Sequence, residues 1–276
     1  MIPPRRTARY DLPLFVPANK PDRYAKALSV AYDAVIIDLE DAVAAPDKPG
    51  ARDALADQAG LLSDTGKSVF VRVNARATTW HKDDLAVCAG LPLTGVMLPK
   101  SETADDLEAL DHALPQDMLR LALVETVRGV VNAPDIATVA TRLVFGSVDF
   151  CADLGCDHDR LALLRPRQDL VIASRLAGLP APLDGVTTAL RDDDLIRSDA
   201  AHALMLGFGG KLLIHPAQIE PARQGFAPTE AQLNWAKTVL AASDGQAASV
   251  DGMMVDAPVL ARARAIQARA RRDDER

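Results

Sequence analysis

Two acidic residues in the middle of the chain follow apolar runs of the kind that form buried strands. Glu125 follows the run at 119–124, and Asp149 comes shortly after the run at 143–145. Two carboxylates on adjacent strand ends, completed by water and a substrate carboxylate, suit the octahedral oxygen coordination of Mg²⁺. The alternative is that each acidic side chain only caps the helix that follows it. We favour a magnesium site formed by Glu125 and Asp149, because capping gives no reason for an acidic residue after both strands.

A denser group of acidic residues follows an earlier apolar run. Asp38, Glu40 and Asp41 come directly after residues 34–37. So many carboxylates cannot all stay ionised unless cations or hydrogen-bond donors lie nearby. Arg72, near the end of the next run, has a planar guanidinium that suits a carboxylate or an enolate oxygen. The same residues are equally compatible with a structural ion-pair network, and their spacing does not separate the two interpretations.

Basic residues are spaced by three after the first apolar run, at Lys20, Arg23 and Lys26. In a helix this spacing places the three cations along one face. Such a face can bind phosphate groups at a helix start, but a solvated basic surface is the commoner meaning of the pattern. Both interpretations stay open on the sequence.

Other polar clusters lack the spacing of a recognised site. Cys151, Cys156 and His158 lack the second ligand pair of a structural zinc site. The glycine-rich segment 207–211 matches neither a P-loop nor a dinucleotide fingerprint, and a tight turn explains its glycines. We therefore assign no chemistry to these segments.

Eight short apolar runs alternate with amphipathic, alanine-rich segments along most of the chain. The runs occupy residues 12–16, 34–37, 68–73, 95–98, 119–124, 143–145, 181–183 and 211–214. Helices are predicted between them, for example at 21–31, 103–114, 165–177 and 192–206. This alternation predicts an α/β fold with βα units around a parallel sheet, and the count is that of a (β/α)₈ TIM barrel. In a barrel the polar residues after the strands converge on the carboxyl-terminal rim.

The chain beyond His215 lies outside the eight units. Three prolines lead to a helix near 230–242, and a turn-rich join at 243–245 precedes a further segment at 251–270. Such a join indicates a hinge. We therefore expect a barrel domain at 1–220 and a C-terminal helical extension or lid at 221–276.

Composition limits the classes of protein that this chain can belong to. It has 276 residues, of which 49% are hydrophobic, so one barrel-sized domain with an aliphatic core is feasible. A formal net charge of −7 gives no positive field for nucleic acid or an anionic membrane. No apolar stretch of about 18 residues occurs, and three scattered cysteines favour a reducing compartment. We expect a cytoplasmic protein with no nucleic-acid and no membrane partner.

Several of these segments, taken in chain order, resemble the citrate lyase β-subunit-like branch of the HpcH/HpaI aldolase superfamily. They are LFVPAN at 14–19, DLEDAV at 38–43, VRVN at 71–74, LPK at 98–100, ETVRG at 125–129, FGSVDF at 145–150 and GKLLIHP at 210–216. The resemblance spans residues 12–220, with a further piece, DGMMVD, at 251–256. Each motif is short, but the ordered set is specific.

The resemblance implies a (β/α)₈ barrel, Mg²⁺ held by Glu125 and Asp149, and carbon–carbon bond chemistry on acyl-CoA substrates. It also implies that Arg72 contacts the oxo-acid end of the substrate. Arg23 and Lys26 are then expected to face coenzyme A. Arg72 and the carboxylates of the 38–41 segment, Asp38, Glu40 and Asp41, form the expected catalytic group.

Further expectations concern the class of substrate and the groups that contact it. Asp41 stands where pyruvate aldolases of the superfamily carry a basic histidine, which favours a lyase acting on CoA esters. Glu125 is also expected to contact substrate. Backbone N–H groups at Gly146, Ser147 and Val148 suit the distal carboxylate if they form an anion-binding nest.

Asp256 has two interpretations. It precedes Pro258, which suits a helix start, so the simple one is that Asp256 caps a helix. The resemblance implies instead that Asp256 reaches the site of a neighbouring subunit as the acid/base at the enolate carbon. That role implies a homo-oligomer, and we expect a trimer.

The expected function is a Mg²⁺-dependent lyase that splits or forms a 3-hydroxyacyl-CoA such as malyl-, citramalyl- or citryl-CoA. The products of cleavage are an oxo acid and acetyl-CoA. Two alternatives stay open: a malyl-CoA-type thioesterase, and a non-autonomous or noncatalytic subunit of a citrate lyase complex that receives substrate on an acyl carrier protein. The sequence does not identify the substituent on the reacting carbon.

Overall fold

The computed structural model divides the chain into two compact units, residues 1–225 and residues 226–276. The structure describes residues 9–63, 65–242, 248–250 and 253–274. The hinge expected at 243–245 and the start of the 251–256 motif lie outside the described residues. The expected division after residue 220, and the role of the second unit as an extension or lid, stay predictions.

The first unit is built on eight parallel strands that pair in chain order. They are β1 (Leu14–Pro17), β2 (Ala34–Asp38), β3 (Ser68–Arg72), β4 (Gly95–Leu98), β5 (Leu119–Val124), β6 (Arg142–Phe145), β7 (Leu183–Asp184) and β8 (Gly210–Lys211). The segment after β8 returns to β1, because Phe15 N–H donates to the Leu213 carbonyl over 2.8 Å. The expected α/β fold with eight parallel strands is confirmed, and its form is that of a TIM-barrel-type sheet.

Helices fill the connections between the strands of the first unit. They are α1 (Tyr24–Val30), α2 (Lys48–Ala56), α3 (Ala59–Ser63), α4 (His81–Ala89), α5 (Ala104–Glu108), α6 (Val127–Val131), α7 (Ala133–Val139), α8 (Ser147–Leu154), α9 (Leu164–Leu176), α10 (Asp193–Leu206) and α11 (Ile219–Phe226). Short 3₁₀ turns precede α1, α2 and α11 and follow α5. Helices therefore cover a sheet whose strands are mostly apolar and almost entirely buried, as expected for parallel strands that are covered on both faces.

The core of the first unit lies inside the sheet. Side chains from successive strands meet there, including Ile36, Phe70, Met97, Leu121 and Val144. Each of these five is essentially buried. This packing fixes the direction in which the strand ends point, and so fixes the rim residues that follow them.

The last two strands are shorter than the sequence suggests. β7 covers Leu183–Asp184 rather than 181–183, and β8 covers Gly210–Lys211 rather than 211–214. A side chain at Gly210 would overlap the Asp11 carbonyl, and Lys211 N–H donates to that same oxygen over 2.8 Å. The close approach of two backbones explains why β8 begins at a glycine, which has low strand propensity.

The second unit contains two helices and a strand pair. Helix α12 (Glu230–Ala241) packs on α13 (Ala257–Asp274) through Ala236, Val239, Ala263 and Ile266. Strands β9 (Ala248–Val250) and β10 (Met253–Val255) pair antiparallel, and the pattern of apolar runs does not predict this pairing. No helix in the described part of the chain is long and apolar enough to cross a membrane.

Candidate active site

The ends of the strands surround a cavity of about 500 Å³ at one edge of the sheet. Its lining includes Phe15, Asp38, Arg72, Glu125, Gly146 and Asp149. These residues come from the ends of β1, β2, β3 and β5 and from the start of α8. Residues that are distant in sequence therefore share one volume, as expected for the carboxyl-terminal rim.

Arg72 and Asp38 form a two-point ion pair between neighbouring strands. Arg72 Nε lies 2.8 Å from Asp38 Oδ1, and Arg72 Nη2 lies 2.7 Å from Asp38 Oδ2. The strand register sets the two residues side by side. Burial alone would lower the pKa of Arg72, but the Asp38 hydrogen bonds and the adjacent carboxylates raise it above its usual value. The guanidinium is therefore a fixed cation, stacked on Phe15 at 4.9 Å.

Glu40 and Asp41, the other two carboxylates of the 38–41 segment, lie close to the third nitrogen of the Arg72 guanidinium. Arg72 Nη1 lies 3.0 Å from Glu40 Oε2 and 3.2 Å from Asp41 Oδ2. Lys100 Nζ lies 2.9 Å from Glu40 Oε1. Burial raises the pKa of Glu40, and the charges of Arg72 and Lys100 oppose that shift. The ion-pair network that the spacing allowed is present, and whether Arg72 also binds substrate stays a prediction.

Glu125 faces the cavity and is as deeply buried as Asp38, with only 2% of the residue exposed. Its Oε1 atom accepts the Lys100 backbone N–H over 2.9 Å. Burial raises the pKa of Glu125 to about 8, and the nearby Glu40 and Asp149 carboxylates add to the shift. Gly146 makes room for this side chain, because a Cβ there would lie 2.5 Å from Glu125 Oε2.

Asp149 lies in the first turn of α8 and is half-buried. Its carboxylate has no hydrogen-bond or ion-pair partner among the residues that the structure describes. The helix caps are made by other groups: Thr126 Oγ1 caps α6, and the residue before α8 is Gly146, which has no side chain. The capping alternative therefore does not explain either Glu125 or Asp149.

These two carboxylates fit a divalent cation. Burial and the negative charge of Asp149 both disfavour the ionised form of the Glu125 carboxyl group. A cation between the two carboxylates would counteract both effects. The described residues contain no group of three or more His, Cys, Asp or Glu side chains able to hold a metal ion. Two protein ligands leave positions for water and substrate, which is the pattern of Mg²⁺ sites.

The start of α8 differs from the expected anion-binding nest. Gly146 has φ −90°, so the close approach of Glu125 requires the glycine rather than a left-handed backbone. Ser147 is buried, and its Oγ lies 2.9 Å from His158 Nε2. Val148 is exposed beside the cavity. A helix N-terminus, rather than a nest, therefore faces the site.

The sequence does not predict the contacts that His158 and Asp184 make in the structure. His158 was considered only as a zinc ligand, yet it bonds Ser147, and burial together with the charges of Arg167 and Lys211 lowers its pKa. Asp184 lies 2.9 Å from Arg167 Nε and 3.5 Å from Lys211 Nζ, and all three residues are buried. Asp184 follows a weak apolar run, and that position was the available signal.

Three predicted site residues lie at exposed positions. Arg23 belongs to the 3₁₀ turn before α1, and Lys26 lies within α1. Asp256 lies in the second unit, where its Oδ1 accepts the Val259 N–H over 3.1 Å and so caps α13. The assignments of Arg23 and Lys26 to coenzyme A, and of Asp256 to catalysis, stay predictions.

Comparison with known proteins identifies relatives over most of the chain. The family model for HpcH/HpaI aldolase/citrate lyase matches residues 12–216. A citrate lyase subunit beta-like protein from Deinococcus radiodurans is 40% identical over 275 residues, covering 92% of this chain and 94% of that relative. A (3S)-malyl-CoA thioesterase from Cereibacter sphaeroides is 38% identical over 254 residues, covering 88% of each protein.

A similar solved structure is that of the protein CitE from Mycobacterium tuberculosis in complex with magnesium, acetoacetate and coenzyme A. Its TM-score is 0.84 at 36% identity, with 96% of this chain and 99% of that chain covered. The matched region contains every strand of the sheet and the rim residues that line the cavity. The resemblance seen in the ordered motifs is thus confirmed, and the chain belongs to the HpcH/HpaI aldolase/citrate lyase family.

Proposed function

We propose that this chain is a Mg²⁺-dependent lyase that cleaves or forms a carbon–carbon bond in a 3-hydroxyacyl-CoA. Cleavage gives an oxo acid and acetyl-CoA, and the substrate class is that of malyl-, citramalyl- or citryl-CoA. The observation that carries the proposal is the buried Glu125 carboxylate, which shares one cavity with Asp149 and the Arg72 cation. The relative crystallised with magnesium and coenzyme A supports it.

Glu125 and Asp149 are the residues that would hold the magnesium ion. Both line the cavity, and their mutual repulsion favours a shared cation. When bound, a divalent cation supplies Lewis-acid stabilisation of negative charge on substrate oxygens. A substrate carboxylate and hydroxyl would supply further oxygen ligands.

Arg72 is the proposed partner of the oxo-acid oxygen. Two of its nitrogens are committed to Asp38. The third, Nη1, lies 3.0 Å from the buried Glu40 carboxylate and 3.2 Å from Asp41, whose side chain is 58% exposed. A substrate oxygen can replace such an exposed carboxylate at small cost, because solvated ion pairs are weak. Charge that develops on this oxygen would then be stabilised by a preorganised cation.

Removal of the hydroxyl proton requires a carboxylate with acceptor capacity. Asp38 also accepts the backbone N–H groups of Glu40 and Ala42, over 2.9 and 3.0 Å, so its oxygens are already engaged. Asp41 lines the cavity and holds only the Arg72 contact among its described interactions. Asp41 is therefore the preferred base, with Asp38 and Glu40 holding Arg72 and its neighbours in position.

The two ends of the substrate have separate proposed binding groups. The N-terminus of α8, at Ser147 and Val148, would accept the distal carboxylate through its N–H groups. Arg23 and Lys26 would contact the phosphates of coenzyme A, because both cations are exposed near the end of β1. Asp256 of a neighbouring subunit would protonate the enolate carbon in a homotrimer.

Two related functions remain as alternatives within the same family. A relative of similar identity is a (3S)-malyl-CoA thioesterase, which favours a variant in which water attacks the thioester carbonyl of the intact 3-hydroxyacyl-CoA and releases free CoA and the hydroxy acid. A second relative is named for a citrate lyase subunit, which favours delivery of substrate by an acyl carrier protein. Both alternatives use the same cavity, so their products and substrate carriers distinguish them.

The test is incubation of the purified protein with Mg²⁺ and a panel of 3-hydroxyacyl-CoAs, followed by identification of the products by mass. We expect acetyl-CoA and an oxo acid from at least one ester. Free CoA with an intact hydroxy acid would identify a thioesterase. Failure to turn over any free CoA ester, with turnover of the acyl-carrier form, would identify a subunit of a larger complex.

A further inference from the structure

Lys100 has an unusual backbone conformation beside the proposed metal site. Its φ angle is 50°. Among the residues that the structure describes, no other non-glycine residue has a positive φ angle. A Cβ atom in this left-handed region crowds the backbone, so residues other than glycine adopt it only where the surroundings impose it. Strain of this kind tends to persist at functional sites.

The residue after Lys100 is anchored firmly to the sheet. Ser101 N–H donates to the Leu123 carbonyl over 3.1 Å, and Ser101 Oγ donates to the Leu98 carbonyl over 2.8 Å. Ser101 is fully buried. These bonds tie the chain back to β4 and β5 within one residue of Lys100, and the left-handed turn makes this return possible.

The same turn presents the Lys100 N–H to Glu125. That N–H lies 2.9 Å from Glu125 Oε1, in a site where burial and two other carboxylates act against the Glu125 charge. On the other side, Gly146 leaves room for Oε2. Glu125 is thus held between a donor and a glycine, with one orientation of its carboxylate.

The Lys100 side chain acts on a second carboxylate. Its ammonium lies 2.9 Å from Glu40 Oε1, and 47% of the side chain is exposed. Glu40 is the strongest source of negative charge acting on Glu125. Lys100 therefore orients the Glu125 carboxylate through its backbone N–H. Its ammonium offsets the negative charge of Glu40, which acts against the charge of Glu125.

We propose that Lys100 is a positioning residue, whose left-handed backbone is retained because it fixes Glu125 for the cation. The proposal rests on the proposed function, since it assumes that Glu125 is a metal ligand. Groups that orient metal ligands typically contribute roughly 10- to 100-fold to metal affinity. The backbone contribution can be separated from that of the ammonium by substitution.

The test compares Lys100→Asn with Lys100→Val. Both variants lack the ammonium, but asparagine tolerates the left-handed region and β-branched valine does not. Mg²⁺ affinity is measured by isothermal titration calorimetry, without turnover. We expect Lys100→Val to bind Mg²⁺ at least roughly 10-fold more weakly than Lys100→Asn. Equal affinities in two folded variants would overturn the proposal.

Thermal unfolding and circular dichroism report whether each variant is folded. If Lys100→Val does not fold, Lys100→Ala replaces it, since alanine opposes the left-handed region more mildly. Lys100→Ala is then expected to bind Mg²⁺ more weakly than Lys100→Asn, and equal binding would again overturn the proposal. A wild-type protein that binds no Mg²⁺ would instead contradict the metal site itself, which distinguishes the two failures.

Discussion

Glu125 is a carboxyl group whose protonation must change when a cation binds. Burial and the neighbouring Glu40 and Asp149 charges raise its pKa from 4.5 to about 8, so the metal-free group is protonated at neutral pH. A cation has to displace that proton, and we expect Mg²⁺ binding at pH 7 to release about one proton. Affinity should therefore rise with pH up to about 8. Calorimetry in two buffers of different ionisation enthalpy measures the released proton.

Two glutamate-to-glutamine variants test whether Mg²⁺ binding and proton release depend on Glu125 itself or only on the net charge of the protein. Glu125→Gln keeps an acceptor for the Lys100 N–H but removes the titrating group, so it should lose both Mg²⁺ binding and proton release. Glu230→Gln, in the second unit, should behave as wild type. Unchanged Mg²⁺ affinity in Glu125→Gln would remove Glu125 from the metal site. In the metal-free protein, stability contributed by Glu125 falls as pH rises from 4.5 to about 8.

Substitution of Arg72 tests whether this residue of the ion-pair network also stabilises charge on the substrate during the reaction. Arg72→Lys keeps the charge but loses the planar fork that holds Asp38 at two points. We expect kcat/KM to fall by roughly 100-fold or more, the cost of losing one preorganised donor to a developing oxyanion. Steady-state kinetics with the best CoA ester provides the measurement. A loss of only a few-fold would give Arg72 a structural role.

The rim residues could be predicted because each follows an apolar run, and the ends of parallel strands meet at one edge. This pattern is enough to predict that Asp38, Arg72, Glu125 and Asp149 lie together. The sign of the Lys100 φ angle leaves no trace in residue type, since lysine is unremarkable at that position. The Ser147 and His158 contact depends on a loop path that periodicity does not report.

At the scale of elements, the start of α8 depends on the absence of a side chain at Gly146. A methyl group there would meet Glu125 Oε2 at 2.5 Å, so Gly146→Ala must displace either α8 or Glu125. We expect a loss of about 1–3 kcal/mol in the free energy of unfolding, together with weaker Mg²⁺ binding. Chemical denaturation and calorimetry measure the two effects.

Gly60 in α3 is the matched control, because nothing lies within 4 Å of a Cβ built there. Gly60→Ala should change stability by less than about 1 kcal/mol, in the stabilising direction. If Gly146→Ala were as stable and bound Mg²⁺ as tightly as Gly60→Ala, the close approach would not matter for the site.

Some strand limits follow from the local sequence pattern, whereas others are set by contacts between distant segments. β4 and β5 have the predicted limits, because buried parallel strands read as continuous apolar runs. β7 and β8 differ. Gly210 lies against the Asp11 backbone, and the charged residue Lys211 is buried beside Asp184. Contacts between distant segments determine such positions, and local patterns do not contain them.

At the scale of the whole molecule, the proposed trimer makes Asp256 a residue shared between subunits. Asp256 caps α13 within its own chain, so its catalytic assignment requires an assembly. We expect inactive Asp256→Ala and inactive Glu125→Ala proteins to regain partial activity when their subunits exchange. Light scattering and mass measurement establish that hybrids form. Hybrids that stay inactive would mean that each site is built within one chain.

The most direct measurement of the proposed function is the stoichiometry of products during turnover of the best 3-hydroxyacyl-CoA. Oxo acid, acetyl-CoA and free CoA are quantified together, with Mg²⁺ and after its removal by a chelator. We expect oxo acid and acetyl-CoA in equal amounts, with little free CoA and no turnover by Glu125→Gln. Equal amounts of free CoA and hydroxy acid, or turnover that survives chelation and the Glu125→Gln change, would contradict a magnesium-dependent carbon–carbon lyase.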